Sequence, residues 1–275
     1  MSVENWTDEE YYSLEKDKEY CSASQYKQLY SLGTNTCEAR FMAMLNGEWT
    51  EEKSDALIIG SLTDALFENE GNLTEYSKAH PELFSSRGAT KGQIKSTYQI
   101  AFKMYERCKQ DNLFMAFMSG EKQKIFTGEI EGMKFKCKLD SYLPGKAIVD
   151  LKTTRSIRKP FKIEDVGYVS FIEKYGYITQ MAIYREIVRQ NTGETLPCFI
   201  AAVSKESEPD IEVIWIDDTA MDEELERVKS HIESIRLLKS GEVEPIRCEC
   251  CDYCKHTKVL KKAIHYSDLI MDGTD

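Results

Sequence analysis

Apolar positions recur at helical spacing through the first part of the chain, then switch near Glu121 to strict alternation. Ser22 and Gln25 have capping-box spacing ahead of a predicted helix through about Leu32. A second helix should start near Thr36 and carry Phe41, Met42 and Leu45, and Ser54 can cap a third, apolar one through Phe67. A longer helix is expected from about Gly92 to Gln110, and Asp111 can cap a short apolar one after it. In Met133-Lys-Phe135-Lys-Cys137-Lys-Leu139-Asp140 the odd positions are apolar and the even ones charged. One face should pack on a core while the other presents Lys134, Lys136, Lys138 and Asp140. Glu131-Gly132 supplies a turn before this strand and Pro144-Gly145 one after it, so a three-stranded meander is predicted. Its third strand begins at Ala147 and sets Asp150 and Lys152 on one face, Val149 and Leu151 on the other.

Helices should resume after Pro160. Between Tyr175 and Gln190, Tyr177, Gln180 and Tyr184 line one helical stripe. Strands are predicted over Pro197 to Val203 and Ile211 to Ile216, then an amphipathic helix from about Asp222 to Lys239. With no repeat or long linker, residues 1–275 read as a single α/β or α+β domain. Its parts are a mainly helical 1–118, a sheet core 119–220, and a helix with a Cys-rich tail, 221–275.

Composition narrows the class. At 275 residues and 41% apolar the chain can bury a substantial core. Its uncharged apolar runs are far shorter than the roughly 20 residues of a membrane-spanning helix, and the N-terminus is acidic where a signal peptide is basic, so a soluble cytoplasmic protein is expected. The net charge of −11 repels nucleic acid, so any phosphate contact must come from local lysines, for which Lys134, Lys136 and Lys138 are candidates.

Asp150-x-Lys152 taken alone is a pattern that chance supplies several times in a chain so rich in both residue types. Its setting matters more: two charges on a mostly apolar strand are costly unless they neutralise each other or bind something. Asp140 can approach them across the sheet. Two carboxylates and a lysine at a sheet edge suit metal-assisted phosphodiester hydrolysis, with hard oxygen ligands for Mg²⁺ and a cation to position water. A plain salt bridge on a solvated strand face accounts for the spacing equally well.

Four segments in order extend the pattern: Gly60-Ser-Leu-Thr-Asp64-Ala-Leu-Phe-Glu68, Lys138-Leu-Asp140, Ile148-Val-Asp150-Leu-Lys152-Thr-Thr154 and Tyr177-Ile-Thr-Gln180-Met-Ala-Ile-Tyr184. Together they resemble the RecB-like branch of the PD-(D/E)XK nucleases, and within it the phage-type RecE, or exonuclease VIII-like, enzymes. The resemblance implies a restriction-endonuclease-like core, a central mixed sheet flanked by helices. It implies that Asp140 and Asp150 ligate Mg²⁺ or Mn²⁺ with the Leu151 carbonyl, that Lys152 orients the attacking water, and that Gln180 and Tyr184 fill the helical Gln-x-x-x-Tyr motif beside the active site. Asp64 stands where many relatives have histidine; it can still ligate the metal, with altered metal preference. The implied function is exonucleolytic resection of duplex DNA ends, 5′→3′, for phage or prophage recombination with a single-strand annealing partner. A CRISPR-adaptation-type nuclease acting on single strands, and a non-catalytic DNA-binding module keeping the fold, are the alternatives.

Nine cysteines in such a chain favour thiolate metal binding over disulfides. Cys248-x-x-Cys251-x-x-Cys254 can converge on one centre. In iron-sulfur nucleases of this branch the fourth cysteine precedes the Gly-x-x-x motif, where this chain has Cys37, which implies a 4Fe-4S cluster. Zinc on the same residues, or with His256 in place of Cys37, fits the spacing too; Cys250 is a substitute ligand, and unligated thiols are the remaining reading. Cys21, Cys108, Cys137 and Cys198 read as ordinary buried thiols.

Overall fold

The computed structural model describes residues 6–31, 36–69, 73–164 and 166–269. Two short helices come first, α1 (Asp8–Tyr11) and α2 (Leu14–Glu19), then α3 (Ala23–Tyr30), α4 (Glu38–Leu45), α5 (Asp55–Glu68), α6 (Thr74–Ala79), α7 (Gln99–Lys109) and α8 (Asn112–Phe117). The remaining elements are β1 (Lys124–Ile130), β2 (Met133–Leu139), β3 (Ser141–Leu143), β4 (Ala147–Thr154), β5 (Phe161–Ile163), β6 (Gly167–Val169), α9 (Phe171–Lys174), α10 (Tyr177–Thr192), β7 (Cys198–Ser204), β8 (Ile211–Ile216), α11 (Asp218–Ser240) and α12 (Asp252–His256). No described helix is long and apolar enough to cross a membrane.

The predicted caps are in place. Ser22, Ser54 and Asp111 each accept the backbone N–H three residues on, which satisfies a donor that the first helical turn leaves open. The helix expected through about Leu32 ends at Tyr30, where Ser31 turns extended; Leu32 itself lies outside the described residues.

The central sheet is mixed, in the order β3-β4-β7-β8, with β4 and β7 parallel and both outer pairs antiparallel. Alternation along β4 explains the layers on either side. Ala147, Val149 and Leu151 pack with α5, α7 and α8, while Ile148 packs with α3, α10 and α11. Asp150 is therefore buried on the α10 side of the sheet, at 2% exposure.

The sequence pattern and the structure differ at four places. The three strands do not form one meander: β1 and β2 make a separate hairpin, and the expected third strand, β4, pairs with the short β3 instead. On its other edge β2 is bridged at Phe135 by Cys21, whose N–H donates to Lys134 O while its carbonyl accepts from Lys136 N. The Glu131-Gly132 turn is where predicted, with positive φ at both residues (47° and 73°), the requirement of a two-residue type I′ hairpin turn. Second, the chain after Pro160 forms the β5–β6 hairpin before helix returns at α9, because Phe161, Ile163 and Val169 alternate toward the core. Third, the helix expected from Gly92 begins only at Gln99, since Gly88 and Gly92 adopt positive φ in a looped lead-in. Fourth, α1 and α2 have no counterpart in the hydrophobic pattern; each is too short for a repeat and is defined by its cap, Thr7 or Ser13.

Candidate functional site

Asp64 on α5, Asp140 between β2 and β3, and Asp150 and Lys152 on β4 face one cleft of about 970 Å³. Each of these side chains is fixed from the backbone outward. One Asp140 carboxylate oxygen accepts the Leu151 N–H at 2.8 Å, which ties the end of β2 to β4, and the other accepts the Gln123 amide at 3.4 Å. Asp150 Oδ1 accepts the Gln180 amide at 2.8 Å. Its Oδ2 faces the Lys152 ammonium as an ion pair, yet has no properly directed hydrogen bond. The Lys152 ammonium offsets that charge, and a metal ion in the cleft would further relieve the repulsion among Asp64, Asp140 and Asp150.

Charge crowding supports the same fit. Burial first, then repulsion from Asp150, pushes the Asp140 carboxyl up to about 6, although Lys152 and the Leu151 N–H work against the shift. Asp64 is raised well above the usual carboxylate range, by burial and then by Asp140 and Asp150. Lys152 is held charged despite its burial because Asp150 and Asp140 flank it. Hard oxygen donors that repel one another in one cleft suit Mg²⁺ or Mn²⁺.

Gln180 and Tyr184 both lie on the buried face of α10, and Tyr184 lines the cleft. The Gln180 amide can be oriented without ambiguity. Lys27 is a donor only and contacts Oε1 at 2.8 Å; Asp150 is an acceptor and contacts Nε2. Lys27 was not legible in the sequence, because nothing in the α3 pattern separates it from a solvated lysine. Burial, then repulsion from Lys152, pulls it down to about 7. Its aliphatic stem passes Gly176, the residue before α10, where φ is 61° and an added Cβ would lie 3.1 Å from the stem. Tyr177 presents its ring to both ammonium groups, 5.0 Å from Lys27 and 5.2 Å from Lys152.

Each lysine of the β2 row is paired with an acid, and of the three Lys134 alone is exposed. Lys136, at 1% exposure, pairs with Asp17 at 2.8 Å and donates to the Tyr11 carbonyl; Lys138 pairs with Asp8 at 3.0 Å and Lys134 with Glu19 at 2.9 Å. The expectation of a free row beside Asp140 is corrected on this point, since α1 and α2 lie over it and supply an acid to each lysine. Their sequence gave no sign of that partnership beyond its acidity.

A second cluster lies where α4 meets the C-terminal segment. Cys37, Cys248, Cys251 and Cys254 come together with all four sulfurs within 4.8 Å of one another, an arrangement of donors that could hold a metal. His256 is not in this group; its ring lies 5.4 Å from that of Trp49. Cys250 is exposed and also outside it, whereas Cys21, Cys108, Cys137 and Cys198 are buried free thiols, as expected.

The chain resembles known proteins in both sequence and overall fold. Residues 22–257 match the family described as a PDDEXK-like domain of unknown function, DUF3799. A crystal structure from Eubacterium rectale, of a protein described as a "putative exonuclease", superposes with a TM-score of 0.89 at 46% identity, covering 97% of this chain and 98% of its own. A second solved chain aligns over 69% of this one and 81% of itself at 12% identity, and its TM-score of 0.28 carries no argument. No curated protein matches the sequence.

Proposed function

Because the chain belongs to the PDDEXK-like DUF3799 family, we propose that it is a divalent-metal-dependent deoxyribonuclease, working as an exonuclease on the ends of linear duplex DNA. The observation that carries this reading is the meeting of Asp64, Asp140, Asp150 and Lys152 in one cleft, where burial and mutual repulsion raise the Asp64 and Asp140 carboxyls. Asp140 and Asp150 would hold Mg²⁺ or Mn²⁺ together with the Leu151 carbonyl, with Asp64 approaching from α5. The ion supplies Lewis-acid polarisation of a phosphoryl oxygen and a more acidic bound water.

The protein's own groups have separate tasks. Lys152, kept protonated by its two acidic neighbours, donates to the attacking water and offsets charge developing on the phosphate. Gln180 fixes the rotation of the Asp150 carboxylate so that Oδ2 remains turned to the cleft. Tyr184 closes the wall behind it. The 46% identity and near-complete coverage shared with the Eubacterium rectale protein support the exonuclease class. The order of the four motifs supports the finer reading of a RecE-like, cytoplasmic enzyme of phage-type recombination, resecting ends 5′→3′ for a strand-annealing partner.

The test is release of acid-soluble nucleotides from linear duplex DNA with Mg²⁺ or Mn²⁺, beside the same DNA as closed circles and beside Asp150→Ala. Release from the linear form alone, lost with EDTA and in Asp150→Ala, is the expected result. Equal cutting of closed circles would replace the exonuclease with an endonuclease. Activity retained in Asp150→Ala would move the catalytic centre elsewhere.

A further inference from the structure

The four-cysteine group is built at a scale that distinguishes a single ion from a cluster. Cys37 Sγ lies 3.6 Å from Cys254 Sγ, Cys248 Sγ lies 3.9 Å from the same atom, and no pair of the four exceeds 4.8 Å. A tetrahedral zinc with Zn–S bonds of about 2.3 Å sets its sulfurs roughly 3.8 Å apart. In a four-iron cubane each thiolate binds a different iron outside the cage, so the sulfurs stand roughly 6 Å apart. The cysteines would have to spread in every direction to admit such a cage. Its fit therefore fails here, whereas a single ion needs almost no movement.

Backbone geometry supports thiolates at this spot. Arg40 N–H points to Cys37 Sγ at 3.4 Å, Cys251 N–H to Cys248 Sγ at 3.3 Å and Cys254 N–H to Cys251 Sγ at 3.4 Å. These N–H groups offset negative charge on sulfur, and two of them belong to helix starts, α4 capped by Cys37 and α12 capped by Cys251. Cys37 and Cys254 are buried and the other two half-buried, and all four ligand positions are filled by protein, the closed form of a structural site.

We propose that Cys37, Cys248, Cys251 and Cys254 bind one zinc ion that fastens the segment after α11 to the start of α4, and that no iron-sulfur cluster forms there. Soft thiolate donors in a tetrahedron select zinc among the common divalent metals. The site stands independently of the nuclease reading, and its readouts need no DNA.

Protein purified both without oxygen and in air should be colourless, contain about one zinc per chain and no acid-labile sulfide, as expected for one closed tetrathiolate site. Asp150→Ala should keep that zinc and Cys251→Ala should lose it, with faster proteolysis after Gly241 in the variant. Should Cys251→Ala fail to fold, the wild type still decides: removal of zinc and titration with cobalt(II) should give the intense visible bands of a tetrahedral thiolate site, saturating at about one equivalent. Brown anaerobic protein with iron and sulfide would overturn the proposal in favour of the cluster. Colourless protein that neither contains zinc nor takes up zinc or cobalt would overturn it in favour of free thiols.

Discussion

Carboxylates gather on β4 and α5, thiols gather where α4 meets the C-terminal segment, and the two groups follow opposite rules. Around Asp150 the like charges crowd each other, and the group opens into a cleft of about 970 Å³. Around Cys254 the donors already lie at bonding scale, N–H groups point at the sulfurs, and the nearest partners are one another. The first arrangement holds mutually repelling carboxylates and leaves room for a substrate. The second is nearly complete and leaves none. Crowded charge and an opening are features of a site where chemistry occurs, whereas closure serves a fastening.

Removing one member of each group should therefore affect different observables. The largest expected effect is on catalysis: Asp150→Ala should lower nucleotide release by at least about 1000-fold, with Lys152→Ala close behind, and neither should lower the unfolding midpoint appreciably. Activity assays paired with thermal melts check this, and a variant that unfolds while retaining its specific activity would break the contrast. Asp140→Asn should behave as Asp150→Ala does. Asp64→His should keep activity and alter the preference between Mg²⁺ and Mn²⁺.

The next effect is on stability. Joining Cys37 to Cys248–Cys254 closes a loop of more than 200 residues, and loss of such a cross-link is worth about 5 kcal/mol on the chain-entropy view. Cys251→Ala should lower the urea midpoint by a corresponding amount while the folded fraction still cleaves DNA. Equal stability with and without the cysteine would show that the C-terminal segment is held by packing alone.

How much of each region was visible beforehand follows from how far apart its parts lie. Asp150 and Lys152 share one strand, and Gln180 and Tyr184 share one helix, so local period sufficed to put each pair on a face. The thiols of Cys248, Cys251 and Cys254 were likewise readable from spacing. Lys27 and the acids Asp8, Asp17 and Glu19 were not, because their partners lie more than 100 residues away and no period links them. The split of the expected meander was hidden for the same reason. Which edge β2 leaves open depends on Cys21, which sits far upstream.

Lys27 offers a smaller, pH-dependent test. Its ammonium is pulled down to about 7 in the folded chain from an ordinary 10.5. Between those values the unfolded chain binds the extra proton, so this residue makes stability rise with pH across that window. Lys27→Met removes the slope. Measured by urea unfolding in EDTA, the advantage of the variant over the wild type should be greatest at and below about pH 7 and fade toward about pH 10. A difference that is flat with pH would mean that the ammonium is solvated in the folded protein.

The smallest expected effect concerns the covered lysines. Lys136 is too buried to probe without disturbing the fold, but Lys138 and Lys134 hold Asp8 and Glu19 in pairs whose acids are exposed. The Lys134–Glu19 pair, exposed on both sides, contributes about 1 kcal/mol or less; Lys138 is only 9% exposed but its partner Asp8 is 60% exposed, so a DNA phosphate could displace either acid from outside. If the row meets DNA during catalysis, Asp8→Ala should bind linear duplex a few-fold more tightly at low salt, because Lys138 no longer has to be freed. Lys138→Gln should bind more weakly and reduce the dependence of log K on log salt by about one ion. Fluorescence anisotropy with inactive Asp150→Ala as the background, at several salt concentrations, reads both. If neither substitution moves affinity or slope, the acids of α1 and α2 are structural partners of the row and the DNA path runs along another wall of the cleft.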